Sequence, residues 1–354
     1  MSLLSTIKTP IEREMVAFDN YFKSQFKSDV PLLNCALSFI SESVGKQMRP
    51  MLVMLVAKSI SDINNKVYAV ATAMEMLHTA SLLHDDVVDE SDKRRGRPSV
   101  NTKFNNNVAV LTGDFLFSQS LNNAAVTQNT AVVQELSILG KALARGEILQ
   151  MEMMLNGAYS EENYLNIIYC KTASLFICSC VSAVLTAGGS EEQLSSFREF
   201  GRNVGICFQI KDDIFDYFAG DIGKPTGSDM REGKMTLPAL YVLRESSNPL
   251  LAPIREKLKS GECLDENEIE SLIDISIKEG GVDYANARIE HYRKCALDAL
   301  PTDIPDNLRE ALIAYLDYTI NRDKYNKRCN TCCTVCFIQY LLFRRILPLL
   351  LLFR

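Results

Sequence analysis

His78–Pro98, HTASLLHDDVVDESDKRRGRP, is the stretch whose reading decides the fold. At about 100° per residue it reads as a helix through Glu90 with a basic loop after it. Asp85 and Asp89 are four residues apart, so both carboxylates point the same way. His78 falls within about 20° of them on the helical wheel, because seven residues make nearly two turns. The rest of the helix is apolar or small: Ala80, Leu82, Leu83, Val87 and Val88. An acidic tip on a helix that is otherwise buried is costly unless a cation meets it. Lys93, Arg94, Arg95 and Arg97 follow at once, with Gly96 and Pro98 shaping the loop. Carboxylates and guanidinium groups side by side are what a metal-bound diphosphate needs. A solvated helix face and a solvated loop would account for the pattern if it occurred once.

It occurs twice. Gln209–Asp216, QIKDDIFD, repeats the Asp-Asp-x-x-Asp spacing. Gln209, Asp212, Asp213 and Asp216 fall on one helical face, and Ile206, Phe208, Ile210, Ile214 and Phe215 make the segment apolar. Two such helices facing each other would form a carboxylate clamp. Hard Mg²⁺ ions take oxygen ligands and bridge carboxylates to substrate phosphates.

HDDVVDESDKRRGRP and FQIKDDIFDY resemble the two aspartate-rich motifs of the trans-isoprenyl diphosphate synthases, most closely the long-chain, octaprenyl-like branch. The resemblance runs from about Ile40 to Asp323, and the paired motifs are highly specific. It implies an all-α fold, the isoprenoid synthase-type antiparallel helix bundle around a central cavity. It implies Mg²⁺ held by Asp85, Asp89 and Asp212, and two substrates, isopentenyl diphosphate and an allylic diphosphate such as farnesyl or geranyl diphosphate. Gly45-Lys46-Gln47-Met48-Arg49-Pro50 alone reads as a solvated turn beside a helix start. By the resemblance Lys46, Arg49, His78 and Arg95 bind isopentenyl diphosphate; many relatives carry a second glycine where this chain has Val44. Lys171-Thr172 lies amid apolar residues, where a lysine must find a partner or reach the surface along its own stem. The resemblance sets this pair at a kinked helix. There Lys171 and Arg94 contact the allylic diphosphate, and the Thr172 oxygen and Gln209 face the developing carbocation. The glycine-rich loop after the second motif becomes a lid carrying Lys224 and Lys234. Ala80 and Ser81, where short-chain members carry bulky aromatics, imply a long product tunnel, with Met74 and Leu77 deeper. The region Val132–Asn156 is implied to form a homodimer seam and the cavity wall. His84 stands off the acidic stripe and reads as structural.

The composition agrees with one large helical domain. Apolar residues make up 47% of 354 residues, alternating runs are few, and no linker divides the chain. A net charge of −6 argues against a nucleic-acid surface. Eleven cysteines without a signal peptide read as reduced residues of a cytoplasmic protein. Helices are expected over Met1–Val30, Leu32–Ile40, Met51–Ile60, Val108–Ala125, Val132–Asn156 and Glu161–Thr186. Four more follow, at Leu250–Leu258, Asn267–Glu279, Val282–Leu300 and Ile304–Asp323. The synthase domain is expected over residues 1–325. The tail, 326–354, departs from the family. Cys329, Cys332, Cys333 and Cys336 have thiols for zinc but lack a second half-site and a nearby histidine. The apolar end is too interrupted to span a bilayer and suits peripheral membrane contact or a shifted reading frame.

Two rivals share part of this pattern. A class I terpene cyclase has the first motif, but its second mixes Asn, Ser or Thr with Glu, where this chain has DDIFD. A membrane-tethered, non-catalytic subunit would explain the tail, but such a subunit has no need of the full charged set.

Overall fold

The computed structural model describes residues 2–42, 45–94, 96–218 and 226–322. Arg95, Lys224 and the tail cysteines lie outside these residues. The architecture is an all-α bundle, as the periodicity and the resemblance both predict. Its central helix is Asn65–Val88. The Asn64 side chain starts it by accepting from the amides of Lys66 and Val67, at 2.9 and 3.4 Å. From Val67 to Leu83 nearly every residue is buried, and a helix apolar all round belongs in the interior. It packs along Asn106–Val126, against Met48–Lys58, and against Ser174–Ala187.

The second acidic motif ends the helix Glu191–Ile214. Ser190 and Gln193 form a reciprocal capping box at its start. This helix packs against Gly281–Ala299 and Ser174–Ala187. Between the two acidic helices runs a bent one. It is α-helical over Glu161–Ile168, forms a π turn over Tyr169–Ala173, and resumes as Ser174–Ala187. The π turn is the kink that the resemblance implied; single π turns inside α-helices often mark functional sites. By length and composition Glu161–Ala187 could cross a membrane, but 94% of its most apolar window is buried in the bundle. It is a core helix here.

Two local expectations need correction. Met1–Val30 is not one helix. Leu3–Lys8 ends in a 3₁₀ turn at Thr9–Ile11, and Glu12–Ser24 follows. Pro10 has no amide proton and clashes with the preceding turn, so it breaks the run. The first acidic helix ends at Val88 instead of Glu90, and the basic loop is a small hairpin, Lys93–Arg94 against Arg97–Pro98. Gly96 sits at φ +77° in its turn, a conformation glycine adopts without strain. The remaining helices shift from their expected ends by up to three residues. Asp306–Ile320 packs back on Leu3–Lys8, closing the bundle.

Close approach of backbones sets the bend. A Cβ on Gly205 would collide with the Ala173 Cα and stand 2.9 Å from the Ala173 Cβ. A Cβ on Gly146 would stand 2.5 Å from the Lys171 Cγ and 2.9 Å from the Cys170 Cβ. Glycines on two helices therefore admit the π turn between them. Gly205→Ala should cost about 1–3 kcal/mol, as overpacking does. Gly140→Ala, whose Cβ would meet only the Phe117 ring at 3.8 Å, should be neutral or gain up to ~1 kcal/mol from helix propensity. Urea midpoints of the two variants check this contrast.

Candidate active site

Lys171 stands between two cavities. One, of roughly 780 Å³ and open to solvent, is walled by Leu77, Ala80, Ser81, His84, Asp85 and Phe117, with Gly140, Leu143, Ala144, Glu147 and Lys171 opposite. The other, of roughly 570 Å³, is walled by Lys171, Thr172, Gln209, Asp212, Asp213 and Lys234, with Gln150, Tyr164 and Asp229 among the rest. Residues of both acidic helices and of the π turn thus meet at one lysine. The Lys171 ammonium donates to Glu147 Oε2 at 2.8 Å and to Gln150 Oε1 at 3.0 Å, which answers the need for partners of a buried lysine.

The carboxylates of the two motifs have different surroundings. Asp86 is buried and accepts from the Arg94 Nε at 2.6 Å, with the Arg94 Nη2 also at 2.6 Å. Burial still raises its pKa, against the pull of Arg94. Burial pushes Asp89 up to about 7; Lys234, Arg94 and Lys171 pull it down, and Glu232 pushes it further up. Asp212 meets the Arg322 Nη2 at 3.3 Å. Arg322 is itself buried, lies 3.8 Å from the centroid of the Phe208 ring, and donates to the Phe208 carbonyl at 2.9 Å. Asp213 takes one bond on each oxygen, from the Tyr164 hydroxyl at 2.6 Å and the Gln209 amide at 2.7 Å. Asp216 accepts from the Ser228 hydroxyl at 2.7 Å and the Asp229 amide at 2.9 Å, which anchors the chain that resumes after residues 219–225.

The other predicted residues fall around this centre. Thr172 donates to Gln209 Oε1 at 2.6 Å. Lys234 is buried and pairs with Glu232 at 2.6 Å. Lys46 donates to the Tyr318 hydroxyl at 2.7 Å. Arg49 is buried on a small cavity with Phe176, Phe208, Tyr315, Tyr318 and Arg322, its Nε without a hydrogen-bond partner. His78 is buried on a third cavity, of roughly 700 Å³, walled by Phe22, Phe26, Phe39, Glu75, Asp86 and Arg94. Lys46, Arg49 and His78 therefore do not share one cavity. Ala80 and Ser81 wall the cavity that bears Asp85, and Leu77 joins them, while Met74 is buried away from it. His84 contacts the Val110 carbonyl at 3.2 Å and Asp114 at 3.3 Å, over Gly113, whose missing Cβ leaves room for the ring.

Residues that the sequence reading did not single out include Asp86 as the anchor of Arg94, Arg322 as the partner of Asp212, and Tyr164. Among the described residues no three His, Cys, Asp or Glu side chains cluster as a metal site on their own. Asp85, Asp89 and Asp212 carry the oxygen donors that a divalent ion such as Mg²⁺ takes, and burial of Asp89 disfavours its ionised form, a cost that added positive charge would relieve.

The pH dependence follows from Asp89. Its folded pKa lies above the ordinary value of 3.8, so ionising it in the folded protein costs stability as pH rises from about 4 to about 7. Without metal, Asp89→Asn should therefore leave Tm unchanged near pH 4 and raise it above pH 7. A Tm series over pH 4–8 measures this; an equal loss at every pH would contradict it.

Comparison with known proteins agrees with the geometry. The sequence model of the polyprenyl synthetase family matches residues 30–275. The octaprenyl diphosphate synthase of Haemophilus influenzae is 34% identical over 325 residues, spanning 90% of this chain and 97% of the relative. The solved geranylgeranyl pyrophosphate synthase of Bacteroides thetaiotaomicron is 42% identical, with a TM-score of 0.77 over 90% of this chain and 99% of that one. The polyprenyl synthase of Caulobacter crescentus, solved with calcium and isoprenyl diphosphate, is 30% identical, with a TM-score of 0.82 over 90% and 98%. By sequence, by fold and by the charged residues gathered at Lys171, the chain belongs to the polyprenyl synthetase family of trans-prenyltransferases, enzymes that condense isoprenoid diphosphates.

Proposed function

We propose that this enzyme is a long-chain trans-polyprenyl diphosphate synthase. It extends an allylic diphosphate, farnesyl or geranyl, by isopentenyl diphosphate units to about octaprenyl length, as a side-chain precursor of respiratory quinones. One observation carries the reading: Lys171 walls both the cavity of Asp212 and the cavity of Asp85, Ala80 and Ser81. The first is polar and suits a diphosphate. The second sets the small or apolar Leu77, Ala80, Ser81, Phe117, Gly140, Leu143 and Ala144 beside His84, Asp85, Glu147 and Lys171, and its apolar part suits a growing hydrocarbon.

Asp85, Asp89 and Asp212 would hold Mg²⁺, whose Lewis acidity stabilises diphosphate as it leaves. Arg94, Lys171 and Lys234, with Lys224 from outside the described residues, add fixed positive charge for the same leaving group. The oxygens of Thr172 and Gln209 face the allylic carbon as it becomes cationic. Lys46, Arg49, His78 and Arg95 orient isopentenyl diphosphate so that its double bond attacks that carbon. The released pyrophosphate takes the proton lost from the new cation. The reading extends to a homodimer in the cytoplasm. Exposed Leu111, Phe117, Leu121, Ile138 and Ile148, on Asn106–Val126 and Thr130–Asn156, supply an apolar face for the seam. The synthase domain is assigned to residues 1–325, and the tail would supply any peripheral membrane contact.

A shorter, geranylgeranyl-sized product is the second reading, favoured by the 42% identity to a geranylgeranyl pyrophosphate synthase. Labelled isopentenyl diphosphate, supplied with farnesyl diphosphate and Mg²⁺, separates the two by the length of the dephosphorylated product. Removing an electrostatic stabiliser of this kind costs about 10²–10³-fold, so Asp85→Ala and Asp212→Ala should each lose at least that much turnover with helicity intact. Near-normal turnover of either in saturating Mg²⁺ would contradict the assignment.

Ser81 is one helical turn, ~5.4 Å, before Asp85. Ser81→Phe with Ala80→Phe should keep the first condensation and shift the product toward farnesyl or geranylgeranyl length. An unchanged long product from the active double variant would place the chain elsewhere.

A further inference from the structure

A chain of three hydrogen bonds crosses the site. The Tyr164 hydroxyl donates to Asp213 Oδ2 at 2.6 Å, the Gln209 Nε2 donates to Asp213 Oδ1 at 2.7 Å, and the Thr172 hydroxyl donates to Gln209 Oε1 at 2.6 Å. All four side chains are more than nine-tenths buried, at 4, 5, 7 and 3% exposure for Tyr164, Asp213, Gln209 and Thr172. The chain starts on Glu161–Ile168, crosses to Glu191–Ile214, and returns to the π turn Tyr169–Ala173. It thus ties the helix before the bend and the bend itself to the same acidic helix.

We infer that Tyr164 and Asp213 are positioning residues that fix which way the Gln209 amide faces, and through it the Thr172 hydroxyl. An amide has a donor end and an acceptor end, and packing alone barely distinguishes them. Ionised, an Asp213 oxygen only accepts, so it takes the NH₂ end and Oε1 points to Thr172. The Thr172 proton is then spent on Oε1, and the lone pairs of both oxygens remain for a positive centre in the cavity. With the amide reversed, its NH₂ would meet the cation instead. Each oxygen of Asp213 accepts one protein hydrogen bond, so we assign this aspartate to holding the amide and Asp212 to the metal. The inference rests on the reading above, in which Thr172 and Gln209 face the allylic carbon.

The test compares Tyr164→Phe, Asp213→Asn, their double variant and Asp212→Asn with the wild type. It measures kcat and both KM values for the first condensation, and calorimetric affinity for an unreactive allylic thiolodiphosphate with Mg²⁺. Tyr164→Phe removes one oxygen and keeps the ring packing, so it reports even where Asp213→Asn disturbs folding. A positioning residue behind a reacting group typically carries about 10–100-fold of activity. Asp213→Asn should lower kcat by about that much, and Tyr164→Phe by less. Both KM values and the analogue affinity should stay within about threefold of wild type, whereas Asp212→Asn loses analogue affinity. The double variant should be no slower than Asp213→Asn alone, because both act through one chain. The inference is overturned if Asp213→Asn loses analogue affinity as Asp212→Asn does. It is also overturned if kcat of both single variants stays within about twofold of wild type, or if their effects multiply. A wild type that makes no product would bring down the condensation reading and this inference with it.

Discussion

Ionised carboxylates inside a helical bundle are costly, and the structure is arranged around meeting that cost. Each Asp-Asp-x-x-Asp run divides its labour. Asp86 is held by Arg94, Asp212 by Arg322, Asp213 by Tyr164 and Gln209, and Asp216 by Ser228 and the Asp229 amide. Burial holds the Asp89 carboxyl near 7 although three cations act on it, and it raises Asp213 to about 7 as well. That cost of ionisation is one that a bound divalent cation would relieve. Removing one partner of a buried pair leaves an uncompensated charge, so these bonds also hold the acidic helices in place.

The same constraint explains why the neighbouring backbones come so close. Lys171 and Thr172 reach the site only because the helix carrying them bulges between Gly146 and Gly205. Lys171 then shares Glu147 and Gln150 while walling two cavities at once. Packing and chemistry are therefore one problem here, and the glycines are its steric solution.

Much of this was legible in the sequence because it is local. The four-residue spacing of Asp85 and Asp89, the Lys171-Thr172 pair in an apolar run, and the repeat at Gln209–Asp216 are all carried by helical periodicity. The two cavities draw on residues read from such patterns. What was not legible depends on tertiary placement. Arg322 is 110 residues from Asp212 and has no motif around it. Phe117, Gly140 and Leu143 wall the cavity of Asp85 from two other helices. Asp86 reads like Asp85 in the sequence, and only the hairpin that returns Arg94 to it separates their tasks. Arg49 and His78, grouped by resemblance, stand on different cavity walls. Pro10 was a readable signal: a proline inside an expected helix, whose effect on the run is elementary.

The central claim is that the two acidic helices hold diphosphate through divalent metal, and crystallography with an anomalous scatterer tests it most directly. Crystals grown with Mn²⁺ and an allylic thiolodiphosphate should show metal on Asp85, Asp89 and Asp212, shared with the diphosphate oxygens. Asp213 and Asp216 should keep the protein hydrogen bonds described above. A diphosphate bound with no ion on those three carboxylates, or ions on Asp213 and Asp216 instead, would contradict the account.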